Sequence, residues 1–442
     1  MQKIALLGMG RVGIRLLDYL MGKNVKLFIY DANSEKFAHR RVAFAIESGK
    51  AVRVTDTNDL LNAELIIKSP GIPNRLDWIE KLDKAGIPII DEIEYVYREL
   101  NKPFTIAITG TNGKSTTTAW IAHLLKTAGK RVFCGGNLAP GKPFSDALQD
   151  SLYDVYVIEI SSFQLERCPS FKPNIAVLLN IASDHLNRHS QEEYANLKFS
   201  LFKNHDHEDI AVLNIDDNSI LKRIDTIKGI HINYSLYNDN ATTYLKESKL
   251  YYKNDAVIGI DELPLPGLHN ASNALAVIAV ASELELSLEQ IRQGLRTFKG
   301  LRHRMQYLGK LEGREVYNNS MCTNPKAFYH SVHSFKEASV IIAGGTEKDL
   351  PLEPFIDGIK ERAKYLILFG QNAKKLEQIL KEQAYFSSCI TVDSLRAAID
   401  AALRHSSKGD RILFSPGFAS FGTFRNFEER GNEFIKAYRE NK

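Results

Sequence analysis

The sequence predicts an α/β protein made of three successive series of strands and helices. Three observations carry that prediction. Continuous apolar runs pass directly into glycine turns at "KIALLGMG" and again at "PFTIAITG"; a helical-period segment follows each turn; and strands alternate with amphipathic helices once more over residues 299–442.

The first series opens with the buried-type run "KIALLG". In "MGRVGIRLLDYLMGK" the apolar positions Ile14, Leu16, Leu17 and Leu20 recur with helical spacing, and "VKLFIYD" reads as a second strand, completing a βαβ unit. Shorter strand signals at "ELIIKSPGIP" and "IPIIDEIEY" continue the series to about residue 93.

The second series starts at "PFTIAITG". Its helix, "STTTAWIAHLLKTAG", ends at Gly129, where a C-terminal glycine cap belongs. The runs "YDVYVIEI", "PNIAVLLN" and "EDIAVLNID" read as strands with polar carboxyl ends, the position where open α/β sheets hold ligands. Residues 229–262 alternate in short strands and read as a small β excursion, before helices return at "NASNALAVIAVASEL" and "SLEQIRQGLRTF". In the third series, "EVYN", "ASVIIAGG", "KYLILFG" and "DRILFSPG" predict another mostly parallel sheet with helices on its faces.

Length and composition agree with this division. The chain has 442 residues, 44% apolar and 25% charged, which excludes a disordered or fibrous protein. A net charge of +4, spread along the chain, argues against a nucleic-acid partner. Cys134, Cys168, Cys322 and Cys389 form no C-x-x-C pair, so a reducing, cytoplasmic compartment is expected. No apolar run approaches the ~18 residues of a membrane span, and the N-terminus reads as strand and turn rather than signal peptide.

Two motifs carry chemistry. "GMGRVG", Gly8 to Gly13, is a G-x-G-x-x-G between strand and helix, with Asp31 ending the next strand. Such glycines let a pyrophosphate approach a helix N-terminus, while the acid can meet a ribose hydroxyl. NAD, another pyrophosphate ligand and a purely structural tight turn all fit this pattern. "TGTNGKSTT", Thr109 to Thr117, is more specific. It is a compressed phosphate loop, G-x-x-G-K-S, in which Ile108 stands where the usual first glycine would be. Gly110, Thr111, Asn112, Gly113, Lys114, Ser115 and Thr116 are accordingly candidates for binding ATP, with Lys114 on the β and γ phosphates and Ser115 on Mg²⁺. Glu159, at the end of "VYVIEI", is placed to hold that metal; His185 and Lys198 follow on the same sheet edge.

The ordered motifs "AITGTNGKST", "EISSFQLE", "SDHLNRH" with Lys198 following, "PLPGLHNASNALA", "GLRHRM" and "SPGFASFGTFRNFEERGNEF" resemble those of the Mur ligases, over essentially the whole chain. The resemblance implies a UDP-binding Rossmann-like domain over 1–93, a central P-loop ATPase-type domain over 94–298 and a Rossmann-like, amino-acid-binding domain over 299–442. It implies amide formation in peptidoglycan precursor synthesis, through an acyl phosphate made from ATP and the donor carboxylate. The donor implied is UDP-N-acetylmuramoyl-L-alanine and the acceptor D-glutamate, with a monomer expected. UDP then accounts for the glycine turn, through Gly10, Arg11, Val12, Asp31, Ser69, Gly71, Asn137 and Ser161.

By the same resemblance Ser115 and Glu159 hold one Mg²⁺, while His185 and a carbamylated Lys198 hold a second. Lys114, Glu159, His185, Lys198 and Arg304 are the implied catalytic set. Asn270, Arg304 and Asn319 join the ATP site, and Thr323, Lys348, Ser420, Phe421 and Phe427 receive the amino acid. Domain closure would exclude water from the hydrolysable intermediate.

One stretch departs from the family pattern. Where Asn-Asp-Ser-Lys-Ala-Thr-Asn is common, this chain has Asn318, Asn319, Ser320, Met321, Cys322, Thr323 and Asn324. An acid and a base are replaced together, which leaves local charge unchanged, whereas losing either alone could strand a buried charge. Arg302, where a proline is common, is a candidate replacement for the positive charge near the transferring phosphate, while His303 reads as structural. An acceptor such as L-glutamate or a different donor is the nearest alternative reading; a nicotinamide-dependent oxidoreductase and a non-catalytic nucleotide-binding regulator are the alternatives of other classes.

Overall fold

Apolar runs uninterrupted by charge become the central strands of three mostly parallel sheets. The computed structural model of the chain describes residues 1–150, 152–182, 190–265, 267–347, 350–382 and 386–442. The chain divides into two compact units, Met1–Phe298 with two sheets and Lys299–Lys442 with one.

The first sheet contains β1 (Gln2–Leu7), β2 (Val25–Tyr30), β3 (Ala51–Arg53), β4 (Leu65–Lys68) and β5 (Ile89–Asp91), all parallel in the order β3-β2-β1-β4-β5. Strand order reverses between β1 and β4, so their carboxyl ends frame a crevice. The helix Arg11–Met21 covers this sheet with Leu16, Leu17 and Leu20. The strand expected through "IPIIDEIEY" stops at Asp91, whose carboxylate accepts the Ile93 N–H at 3.0 Å and caps the helix Glu92–Glu99. That helix joins the two sheets of the unit: Glu92 accepts the Ser145 N–H at 2.6 Å, and Glu94 accepts the Phe171 N–H at 2.8 Å.

The second sheet contains β6 (Thr105–Thr109), β7 (Val132–Gly136), β8 (Val155–Glu159), β9 (Ile175–Leu178), β10 (Ile210–Asn214), β11 (Ile230–Ser235), β12 (Thr243–Lys246), β13 (Lys249–Tyr252) and β14 (Asp255–Gly259). Its order is β14-β13-β12-β11-β10-β9-β6-β8-β7. Residues 229–262 are therefore not a separate excursion. β11 pairs in parallel with β10, and β12 to β14 extend the same sheet, turning antiparallel only at β13. β6 lies between β8 and β9 and is wholly buried, so the loop that follows it emerges at the middle of the sheet edge. The helices Lys114–Thr127 and Leu268–Ser282 cover one face, with Trp120 stacked on Phe298 at 5.0 Å between ring centroids.

The third sheet contains β15 (Gln306–Leu311), β16 (Arg314–Asn318), β17 (Ser339–Ala343), β18 (Ala363–Leu368), β19 (Cys389–Thr391) and β20 (Arg411–Phe414), in the order β15-β16-β20-β17-β18-β19. Only β15 is antiparallel, hairpinned onto β16. β20 lies between β16 and β17, which brings the loops after all three strands together at one edge. Among the described residues no helix is long and apolar enough to cross a membrane.

Candidate active site

The glycine turn after β1 is shaped by contact rather than by flexibility. A Cβ on Gly13 would stand 2.0 Å from the Gly8 carbonyl oxygen, and one on Gly8, whose φ is +96°, 2.8 Å from the Ser69 Cβ. Only glycine lets the helix Arg11–Met21 start this close to β1 and β4. Asp31, expected to meet a ribose, uses both carboxylate oxygens on the turn itself: it accepts the Met9 N–H at 2.6 Å and the Asn33 N–H at 2.8 Å. Gly10 is the N-cap of the helix, with no side chain to satisfy the first-turn amides. Arg11 donates to the Gly141 carbonyl at 2.8 Å.

The phosphate loop joins β6 to the helix Lys114–Thr127. Gly113 is its N-cap at φ +84°, where a Cβ would lie 2.4 Å from Asn273 Oδ1. Lys114 Nζ donates to the Gly110 and Thr111 carbonyls, both at 2.9 Å, so its ammonium lies over the loop that would cradle a phosphate. Lys198, buried on the helix Gln191–Phe199, donates from Nζ to the same Gly110 carbonyl at 2.7 Å, and its charge sits 4.4 Å from the Tyr194 ring centroid. Two lysines distant in sequence thus converge on one backbone oxygen.

Glu159 ends β8 beside this loop and is 2% exposed. Its Oε1 accepts from Asn137 Nδ2 at 3.0 Å, whereas Oε2 is buried with no hydrogen-bond partner among the described residues. A buried carboxylate oxygen left unpaired is costly, and a hard cation would satisfy it. The donor set near Ser115 and Glu159 therefore fits Mg²⁺. Among the described residues no cluster of three or more His, Cys, Asp or Glu forms a metal site; His185 lies outside those residues, as does Lys348. Ser161 caps the short helix Ser162–Leu165 through a capping box with Gln164, and Asn270 Oδ1 accepts from Asn273 Nδ2 at 3.3 Å.

One residue at this site escapes a motif reading. Asn180, just beyond β9, accepts the N–H groups of Thr111 at 3.1 Å and Asn112 at 2.8 Å on Oδ1, and returns Nδ2 to the Asn112 carbonyl at 3.1 Å. Thr111 in turn bonds the Ala182 backbone and approaches the Tyr194 hydroxyl at 3.3 Å. The only signal in the sequence is a strand ending in asparagine, which many strands do.

In the second unit the departing stretch follows β16. Asn319 is 6% exposed and satisfied inside the unit: Oδ1 accepts the Met305 N–H at 3.1 Å, and Nδ2 donates to Ser415 Oγ at 3.2 Å. Ser415 and Ser331 hydroxyls meet at 2.7 Å. Ser320 Oγ donates to the Phe427 carbonyl at 2.8 Å. Arg430, fully buried, spans Ser320 and the Phe418 carbonyl; burial lowers its pKa to about 10, so it stays charged. Thr323 stands just before Asn324, the N-cap of the helix Pro325–Val332. Ser420 is buried and Phe421 exposed, with Thr346 Oγ1 donating to the Phe421 carbonyl.

Arg302 donates to Asn432 Oδ1 at 2.6 Å and is exposed, as is Arg304. His303 is buried; its Nδ1 faces Asn318 Nδ2 at 3.1 Å, and burial followed by the Arg302 charge lowers its pKa to about 4. Burial also raises the pKa of the Cys322 thiol.

Three family models match the chain. The model of the Mur ligase MurD-like N-terminal domain matches residues 2–91, that of the Mur ligase middle domain residues 108–281, and that of the Mur ligase glutamate ligase domain residues 303–418. A UDP-N-acetylmuramoylalanine--D-glutamate ligase of Caldanaerobacter subterraneus subsp. tengcongensis is 35% identical over 99% of this chain and 98% of its own. One from Lachnoclostridium phytofermentans is 32% identical over 99% of each. Among solved structures, the UDP-N-acetylmuramate-alanine ligase of Thermotoga maritima aligns over 100% of both chains with a TM-score of 0.59 and 19% identity. MurF of Acinetobacter baumannii aligns over 87% of this chain and 93% of its own, with a TM-score of 0.60 and 15% identity; both structures share the fold.

Proposed function

The chain belongs to the Mur ligase family, and from that premise we propose that it joins D-glutamate to UDP-N-acetylmuramoyl-L-alanine with ATP, in peptidoglycan precursor synthesis. The observation that carries this reading is full-length identity of 35% to a ligase of that name, with the phosphate loop, Glu159 and Lys198 gathered at one sheet edge. In the proposed reaction a carboxylate oxygen of the donor forms a bond to the γ phosphorus as the bond to ADP breaks. The amine of D-glutamate then attacks the acyl carbon, phosphate leaves, and the amine loses a proton as the amide forms.

Phosphoryl transfer needs position and neutralised charge more than covalent help. Lys114, whose Nζ lies on the Gly110 and Thr111 carbonyls, is proposed to meet the β and γ phosphates together with the amides at the start of the helix Lys114–Thr127. Ser115 and Glu159 are proposed to hold one Mg²⁺, and His185 with a carbamylated Lys198 a second; bound there, the ions supply charge neutralisation at the phosphates. Asn270, Arg304 and Asn319 are proposed to serve ATP. Gly10, Arg11, Val12, Asp31, Ser69, Gly71, Asn137 and Ser161 are proposed to serve the UDP substrate. Thr323, Lys348, Ser420, Phe421 and Phe427 are proposed to serve the amino acid. The division 1–93, 94–298 and 299–442, a monomeric state and a cytoplasmic location complete the proposal.

Asn319 and Met321 favour one second reading, a different acceptor such as L-glutamate. Phosphate release with UDP-N-acetylmuramoyl-L-alanine against a panel of D- and L-amino acids, with mass spectrometry of the product, decides between them. Turnover with D-glutamate alone is expected. Saturable NADH binding without ligation would overturn the reading altogether.

A further inference from the structure

We infer that Asn180 is the positioning residue that sets the phosphate loop for ATP. The inference rests on the ligase reading only in naming ATP as the ligand. Oδ1 of Asn180 takes the N–H groups of Thr111 and Asn112, Nδ2 holds the Asn112 carbonyl, and the Asn180 backbone carbonyl takes the Thr111 N–H again at 3.0 Å. These contacts consume the first two amides of the loop. Phosphate recognition is thereby left to the amides that follow, from Gly113 into the first turn of the helix Lys114–Thr127.

The same contacts fix where two lysine side chains stand. Gly110 precedes the clamped pair, and its carbonyl receives both Lys114 Nζ at 2.9 Å and Lys198 Nζ at 2.7 Å. Gly110 has φ +153°, and a Cβ there would press on Leu179 at 3.0 Å and on the Asn180 amide nitrogen at 3.3 Å. Thr111, held by Asn180, also bonds the Ala182 carbonyl and amide and reaches the Tyr194 hydroxyl. One asparagine after β9 therefore ties the nucleotide loop after β6 to the helix that carries Lys198.

The test compares Asn180→Ala and Asn180→Asp with the native full-length protein. The measurements are KM and kcat for ATP and for the donor, titration calorimetry with a non-hydrolysable ATP analogue and Mg²⁺, and thermal melting. Asn180→Ala frees the Asn112 amide and leaves the Thr111 amide only the backbone carbonyl of residue 180; it is expected to weaken analogue binding and raise KM for ATP about tenfold, with the KM for donor within twofold. Asn180→Asp keeps the two acceptor contacts but adds a negative charge beside the polyphosphate. Its loss of affinity is expected to shrink as salt rises, a response that a packing defect alone does not give. Unchanged analogue binding in Asn180→Ala overturns the inference, as does an equal loss for every substrate that follows a lowered melting temperature. If the native protein binds the analogue but ligates nothing, the ligase reading fails while the calorimetric comparison still judges Asn180.

Discussion

Arg430 donates from Nη2 to the Ser320 carbonyl at 2.8 Å and from Nε to the Ser320 hydroxyl at 3.1 Å, while Nη1 reaches the Phe418 carbonyl at 2.9 Å. With Ser320 Oγ on the Phe427 carbonyl, one buried guanidinium braces the loop after β16, the loop after β20 and the start of the helix Phe427–Glu440. These carry Thr323, Ser420, Phe421 and Phe427. Arg430→Lys retains the charge but cannot span the three acceptors with one ammonium. It is expected to raise the KM for D-glutamate about tenfold or more with ATP affinity unchanged, and to lower stability by about 2–3 kcal/mol, read by denaturant titration. Equal acceptor KM in the variant would sink the bracing role.

Glu159 offers a second test, because its Oε2 is buried without a hydrogen-bond partner among the described residues. Glu159→Gln preserves shape but removes the anionic oxygen that a divalent cation would take. The expected outcome is a fall in kcat of about two to three orders of magnitude, partly recovered at high Mg²⁺, with melting temperature unchanged or higher. A Mg²⁺ titration of turnover checks both parts. Native-like Mg²⁺ dependence in the variant would remove Glu159 from the metal site.

The phosphate loop was legible because its chemistry is local: Gly110, Gly113, Lys114 and Ser115 are adjacent in the chain, and the strand before them is an unbroken apolar run. Glu159 was legible as a strand end, but not the oxygen that has no hydrogen-bond partner among the described residues, since that depends on which distant residues the fold brings near it. Arg430 sits between Glu429 and Gly431 in a charged helix, where an arginine ordinarily faces solvent; Gly431 and His303 show why it does not. A Cβ at Gly431 would stand 2.2 Å from His303 Nδ1, so this side of the helix lies tight against the buried His303 ring. The strands β12 to β14 were visible as alternation, but alternation does not say which sheet edge a hairpin joins. Parallel pairing of β12 with β11 decides that, and no local signal encodes it.

His303 makes acid stability predictable. Its ring is buried, with Asn318 Nδ2 positioned to donate to Nδ1, an arrangement that requires the neutral imidazole. The folded pKa is lowered from 6.5 to about 4 by burial and by Arg302. The unfolded chain therefore binds the extra proton first, so stability from this site is complete above about pH 6.5 and is lost as pH falls toward 4. His303→Gln removes the titration and is expected to flatten the decline in melting temperature between pH 7 and 5. An identical pH profile in the variant would contradict the assignment.

Asn319 stands where the resemblance leads one to expect an aspartate, and its surroundings explain why an aspartate is not simply restored. Nδ2 donates to Ser415 Oγ, Ser415 meets Ser331, and Oδ1 takes the Met305 amide. In Asn319→Asp the donor is lost and a carboxylate is placed at a site only 6% exposed. The Ser415 hydroxyl can turn to donate to the new oxygen, but then no longer donates to Ser331. The variant is expected to be destabilised by about 1–3 kcal/mol at pH 8, and by less at pH 4, where the buried acid takes up a proton. Adding Met321→Lys supplies the base that the resemblance leads one to expect beside the acid. If acid and base changed together for a physical reason, the double variant recovers part of that stability, and a double-mutant cycle in denaturant returns a favourable coupling. Strict additivity of the two changes would mean that Asn319 and Met321 arose independently, and that the missing charge has no local partner to be missed.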